Sequence, residues 1–294
     1  MYYRRKILLA ILQAFGGELD KMSLQKLLFL FSRQQTEKYY HFVPYKYGCY
    51  SFQANADLGT LTKYKLVEES GNNWKKIDQT NYLNELKDKD QVAIKYIINQ
   101  YSGLSADDLV KLTYKNYPYF AINSKIAATV LNKEELARVD KQKVNKIETV
   151  LFTIGYEGVT LEEYLNKLII YGVSVLCDVR RNPYSMKYGF CKNQLQKACN
   201  GVGIEYIHIP EVGIDSDKRQ ELNTQADYDK LFVFYKTNIL KNEVAKQKEI
   251  LSLLVRKKRV ALTCFESNIC QCHRKHLAES ISKLDGFNYE IKHI

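Results

Sequence analysis

The sequence has no apolar run long enough to cross a membrane. Nowhere in its 294 residues do apolar side chains continue for the roughly 18 positions of a membrane span. The first residues, Met-Tyr-Tyr-Arg-Arg-Lys, lead into an amphipathic pattern and carry no cleavable signal. We therefore expect a cytoplasmic protein without a membrane partner.

The sequence also lacks the cysteine pattern of a disulfide framework. Seven cysteines are an odd number, and their spacing is irregular. In a reducing compartment such cysteines are free thiols or metal ligands rather than crosslinks. The cysteines are therefore candidates for chemistry.

Acidic residues are too few to balance the basic ones. The chain has 44 Lys and Arg against 33 Asp and Glu, which gives a net charge of +11. This excess favours a polyanionic partner, most simply nucleic acid. The alternative is a lysine-rich composition without a binding role. A hydrophobic fraction of 46% is that of a soluble globular protein, and the length suits two domains.

The first part of the chain predicts three helices followed by a β-hairpin. Apolar residues recur at helical spacing over 4–15, 24–35 and 51–63. Ser23 is the predicted N-cap of the second helix. Residues 66–76 predict two strands around a Gly-Asn-Asn turn. This order is that of a winged helix-turn-helix.

Two motifs of this region add a family resemblance. The phrases Lys26-Leu-Leu-Phe-Leu-Phe and Tyr45-Lys-Tyr-Gly-Cys-Tyr resemble the SocA-like (Panacea, antitoxin-associated) domains, over residues 1–130. Cys49 stands where those domains carry a proline. The resemblance implies a role in toxin–antitoxin or phage-defence interactions, with a protein partner for this domain.

Lysines interleaved with tyrosines suggest a nucleic-acid face on the same domain. The candidates are Lys46, Lys63 and Lys65, each beside a tyrosine. Aromatic and basic side chains in alternation suit stacking on bases and pairing with phosphates. The alternative is that most of these aromatics pack in the core, and winged helices also mediate protein contacts.

A charged run separates this domain from a different pattern. Residues 131–148 predict a solvated linker helix. From residue 149 to 294, short apolar strands alternate with helices, which predicts right-handed βαβ units and a parallel α/β sheet. The predicted strands lie at 150–154, 173–179, 204–209, 260–265 and 289–294, and the helices at 161–171, 193–200, 228–256 and 273–284.

Chemically active residues follow the ends of these predicted strands. Tyr156 and Glu157 come after the first strand, Asp178 and Arg180 after the second. The stretch from Val260 to Arg274 ends the fourth strand and enters a helix. In parallel sheets, ligands bind beyond the carboxyl ends of the strands. We therefore expect these segments to meet at one site.

The same half of the chain carries a second, more specific resemblance. Five separated motifs resemble the DUF488 family, in order: Thr153-Ile-Gly-Tyr, Asp178-Val-Arg-Arg-Asn-Pro-Tyr-Ser, Gly203-Ile-Glu-Tyr, Pro210 to Gly213, and Leu262-Thr-Cys-Phe-Glu with Cys272-His-Arg. The resemblance implies a compact Rossmann-like domain and no settled activity. The family's proline before Cys-His-Arg is absent, and its double glycine is reduced to Gly213-Ile214.

Arginines in this region predict an anion-binding clamp. Arg180, Arg181 and Arg274 can bind phosphate or carboxylate in bidentate fashion, and a helix N-terminus favours the same charge. The alternative is that they hold loops through Asp178 or Glu266. Further predicted ligand contacts are Tyr156, Glu157 and Ser185, although a serine in this loop more commonly caps a turn.

The stretch ending in Cys-His-Arg predicts the reactive groups. Cys272 at a helix N-terminus is expected to have a lowered pKa and to act as a nucleophile, with His273 as its base. Glu266 and Asp178 are candidates for acid–base work, and Cys264 lies close by in the predicted sheet. No cofactor is otherwise expected, but Cys264, Cys270, Cys272 and His273 are alternative zinc ligands.

Three functions fit these patterns. The first is an enzyme, most simply a hydrolase, that acts on a nucleotide or nucleic acid delivered by the winged helix. The second is a non-catalytic regulator that senses a nucleotide-like ligand and reads DNA. The third is a toxin–antitoxin or phage-defence interaction protein.

Overall fold

The structure of the chain is a computed structural model, and it describes residues 1–145, 147–219 and 222–294. The chain divides into two compact units, Met1–Lys143 and Val144–Ile294. Among the described residues, no helix combines the length and the apolar character needed to span a membrane.

The first unit contains helices, a small sheet and a separate hairpin. Its helices are α1 (Tyr3–Ala14), α2 (Lys21–Ser32), α3 (Phe52–Lys63), α4 (Asp88–Tyr101), α5 (Ala106–Asn116), α6 (Ala127–Val130) and α7 (Lys133–Asp140). Its strands are β1 (Glu18–Asp20), β2 (Val43–Tyr45), β3 (Gly48–Tyr50), β4 (Val67–Ser70) and β5 (Asn73–Lys76). Strands β1, β5 and β4 pair antiparallel in that order, and β2 pairs with β3.

Three helices and a hairpin occur where the sequence predicts them, but the start of α2 differs. Asp20, rather than Ser23, caps this helix, because its carboxylate accepts hydrogen bonds from the main-chain N–H groups of Met22 and Ser23. Strand β1 was not predicted, since three residues are too few for a periodic signal. In the predicted linker region 131–148, α7 is shorter and buries Val139 within the first unit.

Helices α1 and α2 supply a large part of the core of the first unit. Residues 7–12 of α1 are all fully buried, and so are most side chains of α2. Lys26 of α2 is buried too, and its ammonium donates to the carbonyls of Tyr47 and Cys49. Gly48 lies between these two residues with φ +92, a conformation that glycine adopts easily. The β2–β3 turn is therefore built around a buried lysine.

The second unit is a five-stranded parallel sheet with helices. Its strands are β6 (Val150–Gly155), β7 (Val175–Asp178), β8 (Glu205–His208), β9 (Arg259–Cys264) and β10 (Glu290–His293). Its helices are α8 (Leu161–Ile170), α9 (Lys192–Gly201), α10 (Gln225–Phe234), α11 (Val244–Lys257) and α12 (His273–Ile281). The strand order is β10-β6-β9-β7-β8, and every neighbouring pair is parallel. The predicted α/β class is confirmed.

Burial explains why these short apolar runs form strands. All six residues of β9 and all four of β7 are buried, as expected for strands inside a parallel sheet. Strand β9 lies between β6 and β7, so its carboxyl end is central at the edge of the sheet. The predicted site is thereby placed at the middle of that edge.

One helix prediction in this unit is wrong. The stretch predicted as a single helix over 228–256 is α10, a π-helical segment over Tyr235–Leu240, and then α11. Tyr235 and Leu240 are both buried, and the Tyr235 hydroxyl donates to the Val212 carbonyl over 2.6 Å. The π-helical segment is thus held in the core at both of its ends.

Candidate functional site

The carboxyl end of β9 and the start of α12 bring four donor groups together. Cys264 is the last residue of β9, Cys272 is the N-cap residue of α12, and His273 is its first residue. Between them the chain passes close over the end of β6. A Cβ atom at Gly155 would lie 1.9 Å from the Glu266 carbonyl oxygen, so only glycine permits this passage.

Cys264, Glu266, Cys272 and His273 form what we call the donor cluster. Their ligand atoms all lie within 4.8 Å of one another. The Cys264 thiol donates to a Glu266 carboxylate oxygen over 3.1 Å, and its sulfur lies 3.5 Å from His273 Nδ1. Cys264, Cys272 and His273 are buried, and Glu266 is partly exposed. Thiol, imidazole and carboxylate are the ligands of zinc sites, so this cluster could bind a metal ion.

Cys270, which the sequence pattern included among the zinc ligands, lies outside the donor cluster. It sits in a short 3-10 segment, Ile269–Gln271, and its side chain is exposed. Glu266 occupies the fourth position instead. The spacing of cysteines alone could not show this, because the 3-10 turn decides which way Cys270 points.

The imidazole of His273 is oriented by a main-chain carbonyl. Its Nε2 lies 3.1 Å from the Val179 carbonyl oxygen, just beyond the end of β7. Because a carbonyl only accepts, Nε2 carries the proton and Nδ1 presents its lone pair. The ring also packs edge-on against Tyr235, with centroids 5.5 Å apart. The lone pair therefore faces the thiols of the donor cluster.

The predicted lowering of the Cys272 pKa is wrong. Burial raises the pKa of the Cys272 thiol well above its ordinary value, and the neighbouring Cys264 and Glu266 raise it further. The helix N-terminus and Arg274 act in the opposite direction, but they are outweighed by the loss of water. The surroundings of Cys272 therefore favour the neutral thiol over the thiolate.

Asp178 and Arg180 form a buried ion pair. The guanidinium of Arg180 contacts both carboxylate oxygens of Asp178, over 2.8 and 2.5 Å. Tyr206 donates its hydroxyl to the same carboxylate over 2.6 Å. Burial alone would lower the pKa of Arg180, but the hydrogen bonds to Asp178 outweigh it and raise the pKa. Asp178 therefore holds Arg180 in place, which agrees with the alternative that this arginine holds a loop through Asp178.

Arg180 also orders the residues around it. Its Nη1 donates to the Tyr156 hydroxyl over 2.7 Å and to the Phe190 carbonyl over 2.9 Å. The Tyr156 ring stacks on Phe190, with centroids 4.2 Å apart and planes 9° apart. Tyr206 and its role were not foreseen, although the Gly-Ile-Glu-Tyr motif that contains it could have pointed to it.

Arg274 and Glu157 hold the loop that follows β9. Arg274 is buried and donates to the main-chain carbonyls of Glu266 and Ser267. Its Nε has no hydrogen-bond partner among the described residues. Glu157 accepts hydrogen bonds of 3.0 Å from both the N–H and the hydroxyl of Ser267. These contacts fix the main chain directly after the Glu266 side chain, at its carbonyl and at Ser267.

A polar cleft of about 240 Å³ borders the donor cluster. It is lined by Tyr156, Arg180, Arg181, Asn182, Tyr184, Ser185, Ile214, Phe265 and His273. Arg181 is exposed and pairs with Asp215 over 3.1 Å. The Ser185 hydroxyl accepts from the Lys187 N–H over 3.1 Å, as in a serine-capped turn. His273 belongs to both the cleft and the donor cluster, so a ligand in the cleft lies beside the reactive groups.

The three predicted nucleic-acid lysines of the first unit are all exposed. Lys46 lies in the β2–β3 turn, and its ammonium is 5.6 Å from the centre of the Tyr45 ring. Lys63 is the last residue of α3, and Lys65 follows it with φ 57. Solvent-exposed ammonium groups are available to phosphates, which is the first requirement for the predicted role.

Comparison with known proteins gives one match. Residues 160–281 match the family model described as a domain of unknown function, DUF488. No curated protein and no solved structure matches the chain. The match supports the predicted carboxyl-terminal DUF488 domain and contains the whole donor cluster. The resemblance of the first unit to SocA-like domains stays a prediction.

Proposed function

We propose that the second unit is a hydrolase-like enzyme that acts on a nucleotide or nucleic acid held in the polar cleft. One observation carries this proposal: His273 belongs both to the cleft and to the donor cluster, at the carboxyl edge of a parallel sheet. Substrates of such folds bind at this edge, and reactive groups beside a cleft are the usual arrangement of an active site.

Arg181 is the residue that we assign to phosphate binding. Arg180 is held by Asp178, Tyr156 and Phe190, and Arg274 by main-chain carbonyls. Arg181 lines the cleft, forms an exposed ion pair with Asp215 and donates a long hydrogen bond of 3.4 Å to the Pro210 carbonyl. Such pairs contribute little free energy, so a phosphate can take the place of the Asp215 carboxylate. Asn182 and Ser185 add polar contacts on the same wall.

The donor cluster would perform or support the hydrolysis. Glu266 is its partly exposed carboxylate, and we assign to it the role of positioning or deprotonating water. The Arg274 guanidinium holds the main-chain carbonyl of Glu266, which supports this assignment. Cys264, Cys272 and His273 lie directly behind it. A zinc ion bound by the cluster would supply Lewis acidity and lower the pKa of a bound water.

The first unit would deliver the enzyme to nucleic acid. The order α1, β1, α2, α3 and the β4–β5 hairpin, with a sheet of β1, β5 and β4, supports a winged-helix interpretation. Exposed Lys46, Lys63 and Lys65 provide positive charge on this unit. We propose a cytoplasmic DNA- or RNA-binding role, with a protein partner as the other outcome of the experiment.

Turnover by the purified full chain tests the proposal. We would incubate it with the four ribonucleoside triphosphates and with short single- and double-stranded DNA and RNA, and identify products by mass spectrometry. We expect Glu266→Gln to bind substrate and form no product. Arg181→Gln should weaken binding by roughly tenfold or more, since a charge-assisted hydrogen bond is lost.

Cys270→Ser is the matched control. This exposed thiol lies outside both the cleft and the donor cluster, so its loss should leave turnover unchanged. If wild-type protein forms no product but a nucleotide changes its affinity for DNA, the non-catalytic regulator replaces the enzyme. If the affinity for DNA does not change with salt concentration, phosphate contacts by the first unit are contradicted.

A further inference from the structure

The distances within the donor cluster already approach those of a tetrahedral zinc site. With zinc–sulfur bonds of about 2.3 Å and zinc–nitrogen bonds of about 2.0 Å, neighbouring ligands of a tetrahedron lie roughly 3.3–3.8 Å apart. Cys264 Sγ is 3.5 Å from His273 Nδ1 and 3.1 Å from a Glu266 oxygen. All four ligand atoms lie within 4.8 Å of one another. Only small side-chain adjustments separate this geometry from a bound ion.

The histidine is set up as a ligand through its Nδ1 atom. Its Nε2–H donates to the Val179 carbonyl, which fixes the tautomer and the ring plane. Histidines that bind metals are held in this way by a carbonyl or a carboxylate on the other ring nitrogen. The anchor lies beyond β7, whereas His273 begins α12 and Cys264 ends β9. Three separate parts of the unit therefore position these donors.

The donor types select the metal. Two thiols and an imidazole are soft or borderline ligands, which suit zinc and do not suit magnesium or calcium. Cys264, Cys272 and His273 are at most 1% exposed, so an ion held by them is shielded from water on the side of these three ligands. If the two buried thiols were ionised, their negative charges would repel each other and the neighbouring carboxylate. A divalent cation bound between these groups removes that repulsion.

We infer that Cys264, Cys272 and His273 bind a zinc ion as three fixed ligands, and that Glu266 is an exchangeable fourth ligand. Binding forms two zinc–thiolate bonds and releases both thiol protons to solvent. Glu266 differs from the other three because it is partly exposed and lies on a loop rather than at the end of a strand or helix. When its carboxylate leaves, a water molecule can take the fourth position.

The role of that fourth position rests on the proposed function, whereas metal binding itself does not. A zinc site with three protein ligands and a water is catalytic in type, and one with four protein ligands is structural. The exchange of Glu266 would convert the second kind into the first beside the cleft. Metal binding and turnover can therefore succeed or fail separately.

Cobalt substitution of the full chain tests metal binding directly. Protein stripped with a chelator would be titrated with Co²⁺, and the visible and near-ultraviolet absorption recorded. We expect one ion per chain, intense d–d bands of a tetrahedral site and a thiolate-to-cobalt charge-transfer band, all removed by added Zn²⁺. Wild-type protein without a charge-transfer band would overturn the inference, whatever the variants do.

Variants of the cluster and of its neighbour separate ligands from bystanders. Cys264→Ser and Cys272→Ser should lose the charge-transfer intensity and most of the bound zinc measured by mass spectrometry. Cys270→Ser, two residues from Cys272, should keep both. Circular dichroism of each variant shows whether it remains folded. Equal metal loss in Cys270→Ser would contradict the assigned ligand set.

The d–d spectrum of bound cobalt tests whether Glu266 is an exchangeable fourth ligand. Glu266→Ala should retain the cobalt ion with a shifted d–d spectrum, and added azide should shift it again by binding at the open position. In the wild type, a higher azide concentration should be needed, because Glu266 competes for the ion. Complete loss of the metal in Glu266→Ala would show that this residue is a fixed ligand. Bound zinc without any turnover would leave the site intact and refute the hydrolase.

Discussion

At the scale of single residues, the Asp178–Arg180 pair gives a sharp prediction for stability. Both side chains are buried, and Asp178→Asn leaves the Arg180 guanidinium without its counter-charge. We expect the free energy of unfolding of the second unit to fall by about 3–5 kcal/mol, as measured by denaturant titration. Arg181→Gln removes the neighbouring ion pair with Asp215, which is exposed. This substitution should change the free energy of unfolding of the second unit by less than about 1 kcal/mol. Equal effects of the two variants would contradict the structural role of Asp178.

Individual residues also show which features of the site can be predicted from the sequence. The sequence predicted that Cys264, Glu266, Cys272 and His273 lie near one another, because strand ends and helix starts of a parallel sheet share an edge. It did not predict the direction of the Cys272 pKa, since that depends on burial by side chains distant in the chain. It also left open whether Arg180 binds substrate or Asp178, because the answer depends on Tyr156, Phe190 and Tyr206, which bond to this pair from distant parts of the chain.

At the scale of elements, the structure predicts opposite effects on stability for two glycine-to-alanine substitutions, one at Gly48 beside the β2–β3 turn and one at Gly59 in α3. A Cβ at Gly48 would lie 2.4 Å from a Tyr114 ring carbon and 3.0 Å from the Lys26 ammonium, at φ +92. Gly48→Ala should therefore destabilise the first unit by roughly 2 kcal/mol or more. Gly59 lies on the exposed face of α3, and a Cβ atom built there would have no atom within 4 Å. Gly59→Ala should therefore stabilise the first unit by about 0.5–1 kcal/mol. Thermal unfolding of both variants checks the signs, and a stabilised Gly48→Ala would refute the packing described for this turn.

Elements with a strong local signal were predicted well, and elements set by tertiary contacts were not. Helix α8 begins after Thr160, whose capping box with Glu163 is readable in the sequence. The break between α10 and α11 was missed, because the apolar periodicity continues through it. At the start of the π-helical segment, Tyr235 is buried and bonds to a carbonyl 23 positions away in the chain. Such a contact leaves no local pattern.

At the scale of the whole molecule, the two units predict two independently folding fragments. Among the described residues, two core clusters lie within 1–143 and a third lies within 144–294. A fragment that contains its own core has the main source of folding free energy. We therefore expect fragments 1–143 and 144–294 each to unfold cooperatively on heating, as followed by circular dichroism. Asp178→Asn should lower the midpoint of the second fragment, and Gly48→Ala that of the first. A fragment without a cooperative transition would show that its core is insufficient, and the donor cluster would then have to be studied only in the full chain.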